Sequence, residues 1–305
     1  ILAIFLSLIV IVASISPAVN TLSDSKDCEN SLFGMMPIGN SVDALSLEKC
    51  PHRLNIASWN LQVFGQSKAN NQDSISEIAE KISQYDIVAV QELKDVQQTA
   101  PYMLQDELDN HETFGMVLSN RTGEFCESKN TGGISEQYAF YYNDATINSL
   151  DSGYHYPNND CEFAREPFAA RFKSAEYSHD FVLITLHVKP DDAVNEISAL
   201  TNVFEWAKFQ FPDEDDFILL GDLNADCDYA SKSNLDELEI RNQNYEWIIP
   251  DGTKTNTAVS SSCTYDRIIF SDTGSEEYLD SYSTDCQSDV SDHCIISGLF
   301  SSHES

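Results

Sequence analysis

Several short apolar runs in this 305-residue chain end on, or begin just after, a polar residue suited to chemistry. This constrains the fold more than any other feature. Phe217-Ile218-Leu219-Leu220 is the clearest case: four apolar residues, then Gly221, with Asp222 and Asn224 just beyond. A run this short, bounded by a turn former, reads as a buried strand. In extended chain, residues two apart point to the same side, which would put the Asp222 carboxylate and the Asn224 amide together at a strand tip. The same Gly, Asp and Asn composition also suits an ordinary turn. The pattern recurs. LNIASW (54–59) leads to Asn60, DIVAVQE (86–92) ends on Glu92, and FVLITLH (181–187) ends on His187. His293 stands just before CIISGLF (294–300). Polar endings on so many strands predict one shared rim of functional groups held by a rigid scaffold.

The rest of the chain mixes strands with fewer helices. LNIASW and QYAFYYN (137–143) alternate as half-buried strands do, and YDRIIF (265–270) is a further strand. Asp73–Gln84 places Ile75, Ile78 and Ile82 at helical spacing. Residues 191–209 read as one helix, capped by Asp191 or Asp192, with Val194, Ile197, Leu200 and Phe204 as its apolar stripe. Strands and helices do not alternate strictly. The fold class is therefore α/β or α+β with a two-layer core, and not a clean doubly wound sheet.

The first sixteen residues carry no charge and are mostly apolar. That is shorter than the roughly 20 residues of a membrane span. Small residues at Ser16 and Ala18 suit a cleavage site, so 1–18 reads as a signal peptide, with no membrane attachment after its removal. Residues 19–53 are polar and weakly periodic, an extension or pro-segment, and 54–301 remain as one well-buried domain. Eight cysteines fit an exported, oxidised protein, and Asn120-Arg121-Thr122 is a glycosylation sequon. The net charge is -33, from 17 basic and 50 acidic residues spread along the chain. Taken alone, this argues against a nucleic-acid binder, which usually carries a basic patch.

In order, the chain reads SWNLQVFG, VQELKD, SEQYAFYYN, REPFAARF, TLHVKPDDAVNEI, GDLNADC, CTYDRIIF and SDHCII. Over Leu54 to about Phe300 this resembles the deoxyribonuclease I family of the endonuclease/exonuclease/phosphatase superfamily. QE, GDxN and SDH carry the superfamily; REP, LHxxPxDAVxEI and YDRI carry the branch. The resemblance implies a four-layer α/β/β/α sandwich of two packed mixed sheets. It implies a secreted, divalent-metal-dependent endonuclease that hydrolyses DNA to 5′-phosphate ends, in the extracellular space or a digestive compartment. A monomer is expected. Metal ions at the site, and a family that itself tends to be acidic, answer the objection from charge.

Residue by residue, the resemblance places Asn60, Glu92 and Asp292 around one divalent position, Mg²⁺ or Mn²⁺. Asp222 and Asn224 take a second metal or the phosphate. His187 and His293 are general acid and general base, in an order left open, oriented by Glu136 and Asp266 respectively. Arg165 and Tyr265 meet DNA. Lys94 stands where the family has an Arg that enters the minor groove, and Ile134 where it has a groove-packing Tyr; both changes weaken duplex reading. The family's calcium loop is altered in DGTKTNTAVSSSC (251–263), so a calcium ion is better placed near Glu166, the Phe163 carbonyl and Asp160. FGMVLSNR (114–121) lacks the actin-contacting residues, so actin binding is not expected. Cys227 and Cys263 match the family's structural disulfide; Cys126–Cys161, Cys286–Cys294 and Cys28–Cys50 complete a trial pairing. Rival readings are another phosphodiesterase of the superfamily, acting on a lipid headgroup or nucleotide, and a catalytically silent binding protein.

Overall fold

A computed structural model describes residues 53–302, apart from 124, 125, 127–134, 178 and 272–276. The segment before Arg53, which includes the predicted signal peptide, Cys28 and Cys50, lies outside the described residues, as does Ile134. In chain order the first strands are β1 (Arg53–Phe64), β2 (Ile87–Leu93), β3 (Phe114–Leu118) and β4 (Gln137–Asn143). Then come β5 (Ile147–Ser149), β6 (Tyr154–His155), β7 (Phe168–Ser174), β8 (Asp180–His187) and β9 (Phe217–Asp222). The last are β10 (Tyr245–Trp247), β11 (Asp266–Ser271), β12 (Tyr278–Asp285) and β13 (Ile295–Ser301). The helices are α1 (Gln66–Ala69), α2 (Gln72–Ile82), α3 (Ala100–Leu108), α4 (Ala193–Ser198), α5 (Leu200–Gln210) and α6 (Lys232–Leu235).

One sheet runs β12-β13-β1-β2-β4-β3, and the other runs β10-β11-β9-β8-β7-β5 with β6 beside β7. Each is antiparallel except for one central parallel pair, β1–β2 in the first and β8–β9 in the second. Parallel neighbours need a crossover, supplied by α1 and α2 in the first sheet and by α4 and α5 in the second. Leu54 and Ile56 of β1 meet Leu183 of β8, Leu220 of β9 and Phe270 of β11 between the sheets. The opposite face of β1, with Ala57 and Trp59, packs on Ile75, Ile78 and Ile82 of α2. Val182, Ile184 and Leu186 of β8 pack outward on Leu200 and Phe204 of α5. These layers are the expected α/β/β/α sandwich. Each fully buried Leu, Ile or Phe contributes roughly 1.5–3 kcal/mol, so three such cores make a stiff scaffold.

Three local expectations change. β1 and β4 are buried on both faces over most of their length, and not half-buried. Each is an interior strand, with a helix layer on one face and the second sheet on the other. The predicted helix over 191–209 is a 3₁₀ turn at Pro190–Asp192 followed by α4 and α5, which break at Ala199. Asp192 takes the cap position of α4 without a side-chain cap bond. Glu196 is instead turned fully inward, where it accepts hydrogen bonds from the Ala164 and Lys189 N–H groups. Gly221 lies inside β9 and does not close it: a Cβ there would stand 2.1 Å from the Leu186 carbonyl of β8. The glycine allows the parallel pair to close up just before both strands end.

Candidate active site

Four polar strand endings meet where the two parallel pairs finish. Asp222, at the end of β9, is buried and central. Its Oδ2 accepts from Asn60 Nδ2 at 2.9 Å and lies 3.4 Å from Nε2 of both His187 and His293. Asn224 adopts a left-handed backbone, φ 48°, so it does not continue the strand. Its N–H turns back to Asp222 Oδ1 at 3.0 Å, while its side chain donates to the Val188 carbonyl. The segment is both a strand tip and a turn, and Asn224 serves to orient Asp222. Gln91 ties the sheets together just beneath, with Nε2 donating to Thr185 Oγ1 at 2.9 Å and to Ser58 Oγ at 3.0 Å.

Each histidine has its Nδ1 on a carboxylate. His187 Nδ1 is 3.1 Å from Glu136 Oε1, and His293 Nδ1 is 3.0 Å from Asp266 Oδ2. Both predicted pairs are therefore in contact, and both Nε2 atoms face the same space. Burial alone would push His293 down, but the Asp266 and Asp222 carboxylates outweigh it and raise it well above the usual imidazole range. Burial would raise Asp222, yet His293 and His187 hold it down.

Residues missed in the sequence fix this geometry. Tyr138 is buried on β4, and its hydroxyl accepts the His187 N–H. Thr255 Oγ1 accepts from the Tyr265 and Asp266 N–H groups. Ser291 Oγ donates to the Asn60 carbonyl at 2.6 Å and accepts from the His293 N–H at 3.0 Å. Ser291 belongs to the SDH motif, but its bond to the Asn60 carbonyl, like that of Tyr138 to His187, joins residues far apart in sequence.

The expected metal ligands are partly gathered. Glu92 adopts a left-handed backbone, φ 63°, an uncommon conformation for a residue with a Cβ and one that concentrates at functional sites. Burial would raise its carboxylate, but His187 and Lys94 hold it down at about 2. It is thus an ionised, hard oxygen donor. Asn60 meets Glu92 and Asp222 through its amide nitrogen, and its Oδ1 accepts the Gln62 N–H. In this geometry it orients the acids and does not offer them an oxygen. Asp292 is the open member, its side chain 58% exposed and 3.9 Å from His293 Nε2. Among the described residues, Asp222, Asp266 and His293 also bring ligand atoms within 4.8 Å of one another.

The residues expected to touch substrate divide. Tyr265 is half-buried beside His293, with ring centroids 6.2 Å apart. Lys94 Nζ lies 3.0 Å from Glu92 and 3.6 Å from Glu136. Arg165 is 4% exposed: its Nε donates to the His187 carbonyl, and its Nη1 lies 3.8 Å from Glu136. It braces the His187 pair from behind and does not stand on the surface. Arg267, next to Asp266 in sequence, pairs with Asp251 at 3.0 Å. Glu166 is buried and faces donors, namely the Thr122 hydroxyl, the Gly123 N–H and the Asn158 amide, which also takes the Phe163 carbonyl. This donor set does not fit calcium. Cys227–Cys263, Cys126–Cys161 and Cys286–Cys294 are all bonded. Asn120 of the sequon is exposed.

Comparison with known proteins identifies the family. The profile of the Endonuclease/Exonuclease/phosphatase family matches residues 57–293. Human Deoxyribonuclease-1 is 34% identical over 246 residues, covering 77% of this chain and 83% of the relative. Human Deoxyribonuclease gamma is 34% identical over 226 residues, covering 71% of each. Among solved structures, D. rerio TDP2 with a single-strand DNA product superposes with a TM-score of 0.54 at 14% identity, over 81% of this chain and 98% of that one. The human Nocturnin catalytic domain gives 0.56 at 12% identity, over 82% and 93%. At such identities the structures speak to the fold alone. The chain belongs to the endonuclease/exonuclease/phosphatase family, in its deoxyribonuclease I branch.

Proposed function

We propose that this protein is a divalent-metal-dependent endonuclease that hydrolyses DNA phosphodiester bonds, leaving 5′-phosphate ends. The observation that carries the reading is the convergence of both histidine Nε2 atoms on one point, each 3.4 Å from Asp222 Oδ2. With Nδ1 of each ring taken by a carboxylate, Nε2 is left to exchange protons. One imidazole removes a proton from the attacking water, and the other hands one to the leaving oxygen. Both assignments use the same atoms. Tyr265 and Lys94 line the approach, while Arg165 supports the site from within.

Glu92 and Asp292, oriented by Asn60, would hold Mg²⁺ or Mn²⁺, since carboxylates are hard oxygen donors. Bound there, the cation supplies charge stabilisation at the phosphate. Asp222 stays with the histidines in this reading, as a partner for both imidazolium forms. Three disulfides and an exposed sequon support an exported protein acting outside the cell or in a digestive compartment. Among the described residues no helix is long and apolar enough to cross a membrane. No calcium ion and no actin partner enter the proposal, and the enzyme is taken to act as a monomer.

Supercoiled plasmid incubated with the protein in Mg²⁺ should convert to nicked circles, and chelator should stop the conversion. Cleavage that survives chelation would remove the metal from the reading. Intact plasmid, with turnover of a phosphorylated lipid headgroup or a nucleotide instead, would move the enzyme to another branch of chemistry. No turnover of any phosphodiester would leave a silent binding protein.

A further inference from the structure

Lys68 carries no motif signature and takes no part in the proton transfers above. It lies in α1, directly after the first strand of the rim. Its Nζ donates to the carbonyls of Gln62 at 2.7 Å, Val290 at 2.7 Å and Leu61 at 2.8 Å. Three such bonds use the full donor capacity of an ammonium group. The carbonyls belong to two segments far apart in sequence. Leu61 and Gln62 lie where the pairing of β1 with β2 changes register, between Asn60 and Phe64. Val290 directly precedes Ser291, Asp292 and His293.

The β1 segment is strained. Gln62 (φ 47°) and Val63 (φ 59°) are both left-handed, which is costly above all for a β-branched residue. The distortion has a use. It sends the Gln62 N–H to Asn60 Oδ1 and the Val63 N–H to Glu92 Oε2, each within 2.9 Å. An undistorted strand would direct these groups elsewhere. The carbonyls exposed by the same distortion are the ones that Lys68 collects. Strain of this kind persists only where the surroundings over-determine it.

We propose that Lys68 is a positioning residue that clamps the Asn60–Glu92 side of the divalent-cation site to the Asp292 side. The inference rests on the reading that these residues hold a cation. Two effects of Lys68 oppose each other. Its positive charge lies within electrostatic reach of Asp292 and Glu92 and disfavours an incoming cation. Its three hydrogen bonds pre-shape the ligands and favour one. Loss of a group that orients metal ligands typically weakens binding by about 10–100-fold. The sign of the change therefore separates a clamp from a mere neighbouring charge.

The test is Mn²⁺ binding to the full chain without DNA, by isothermal titration calorimetry, for the wild type, Lys68→Met and Lys68→Arg. Lys68→Met keeps the apolar stem and removes the donors. Its Kd for Mn²⁺ should rise by about 10–100-fold. The Mg²⁺ concentration for half-maximal plasmid nicking should rise in step, with the loss concentrated in metal requirement and not in the saturated rate. Lys68→Arg keeps the charge, but its planar fork cannot serve three carbonyls from one point, so its Kd should fall between. Tighter or unchanged Mn²⁺ binding by Lys68→Met overturns the clamp. Should circular dichroism show that variant unfolded, Lys68→Arg decides, and an unchanged Kd there overturns the proposal. A wild type that binds no Mn²⁺ would remove the metal reading and the clamp together, whereas an unchanged Kd in the variants removes the clamp alone.

Discussion

The carboxylate that holds His187 has two cations beside it, and the carboxylate that holds His293 has another acid. Glu136, which holds His187, has Lys94 at 3.6 Å and Arg165 at 3.8 Å, and is itself fully buried. Burial would raise the Glu136 carboxylate, but His187, Arg165 and Lys94 hold it down. Asp266, which holds His293, has Asp222 nearby, and Asp292 stands on the outer side of the ring. The two half-sites therefore share a hydrogen-bond plan and differ in field. In the first, His187, Arg165 and Lys94 together keep the carboxylate ionised. In the second, a surplus of negative charge keeps the imidazole protonated. Two copies of one motif become chemically distinct through neighbours that neither motif contains.

The largest test of this contrast is loss of each ring. His187→Ala and His293→Ala should each lower plasmid nicking by about 10²–10⁴-fold, the usual contribution of a general acid or base. Their circular dichroism should match the wild type. A loss of under about tenfold for either would mean that only one half-site acts in proton transfer. Next is Arg165→Met, which leaves Glu136 buried with one cation fewer. Urea unfolding should show a loss of about 3 kcal/mol, the low end for breaking a buried pair, because Lys94 remains. Asp266→Asn should cost less stability than Glu136→Gln by roughly 1–2 kcal/mol, on the scale of one pKa unit, since it relieves repulsion with Asp222. The reverse order would refute the description of the two fields.

A comparable effect is expected from the covalent brace on the His293 side. Replacing Cys227 and Cys263 together by Ser should lower stability by about 2–4 kcal/mol. Peptide mapping without reduction should find that bond in the wild type. The smallest effect lies away from both half-sites. Burial raises Glu214 to about 7, with Asp180 adding to the rise and Arg171 opposing it. The folded state thus keeps a proton that an unfolded glutamate releases near 4.5. The resulting stability is complete below that value and is lost as pH rises through about 7. Glu214→Gln should flatten the fall in melting temperature between about pH 5 and about pH 8. An equal slope in both proteins would remove Glu214 as its source.

The strand endings were readable because an apolar run and the polar residue beside it are neighbours in sequence. Asn60, Glu92, His187 and Asp222 were found this way, and the resemblance added Glu136 and Asp266. What the pattern could not reveal was direction. Arg165 lies in a motif associated with DNA, yet its guanidinium turns inward to His187 and Glu136. Asn224 follows the strand rule in spacing and breaks it in backbone, because one left-handed residue ends the period of two. The roles of Tyr138 and Gln91 are not legible, because their partners His187 and Thr185 are set by how the sheets stack. The break at Ala199 was equally invisible: the apolar stripe runs through it without a fault in register.

The placement of β13 bears on how such a protein can be made. β1 pairs on one side with β2, close in sequence, and on the other with β13, through Arg53–Ser58 against Ile296–Ser301. On a ribosome, β1 would therefore emerge with one hydrogen-bonding edge open and keep it open through the synthesis of every other strand. An unpaired edge of this kind invites pairing with the wrong chain. It also means that His293, carried just ahead of β13, joins the rim last. Trimming the chain back through β13 would open the middle of its sheet, and should damage the protein far more than cutting away the outermost strands β3 or β10.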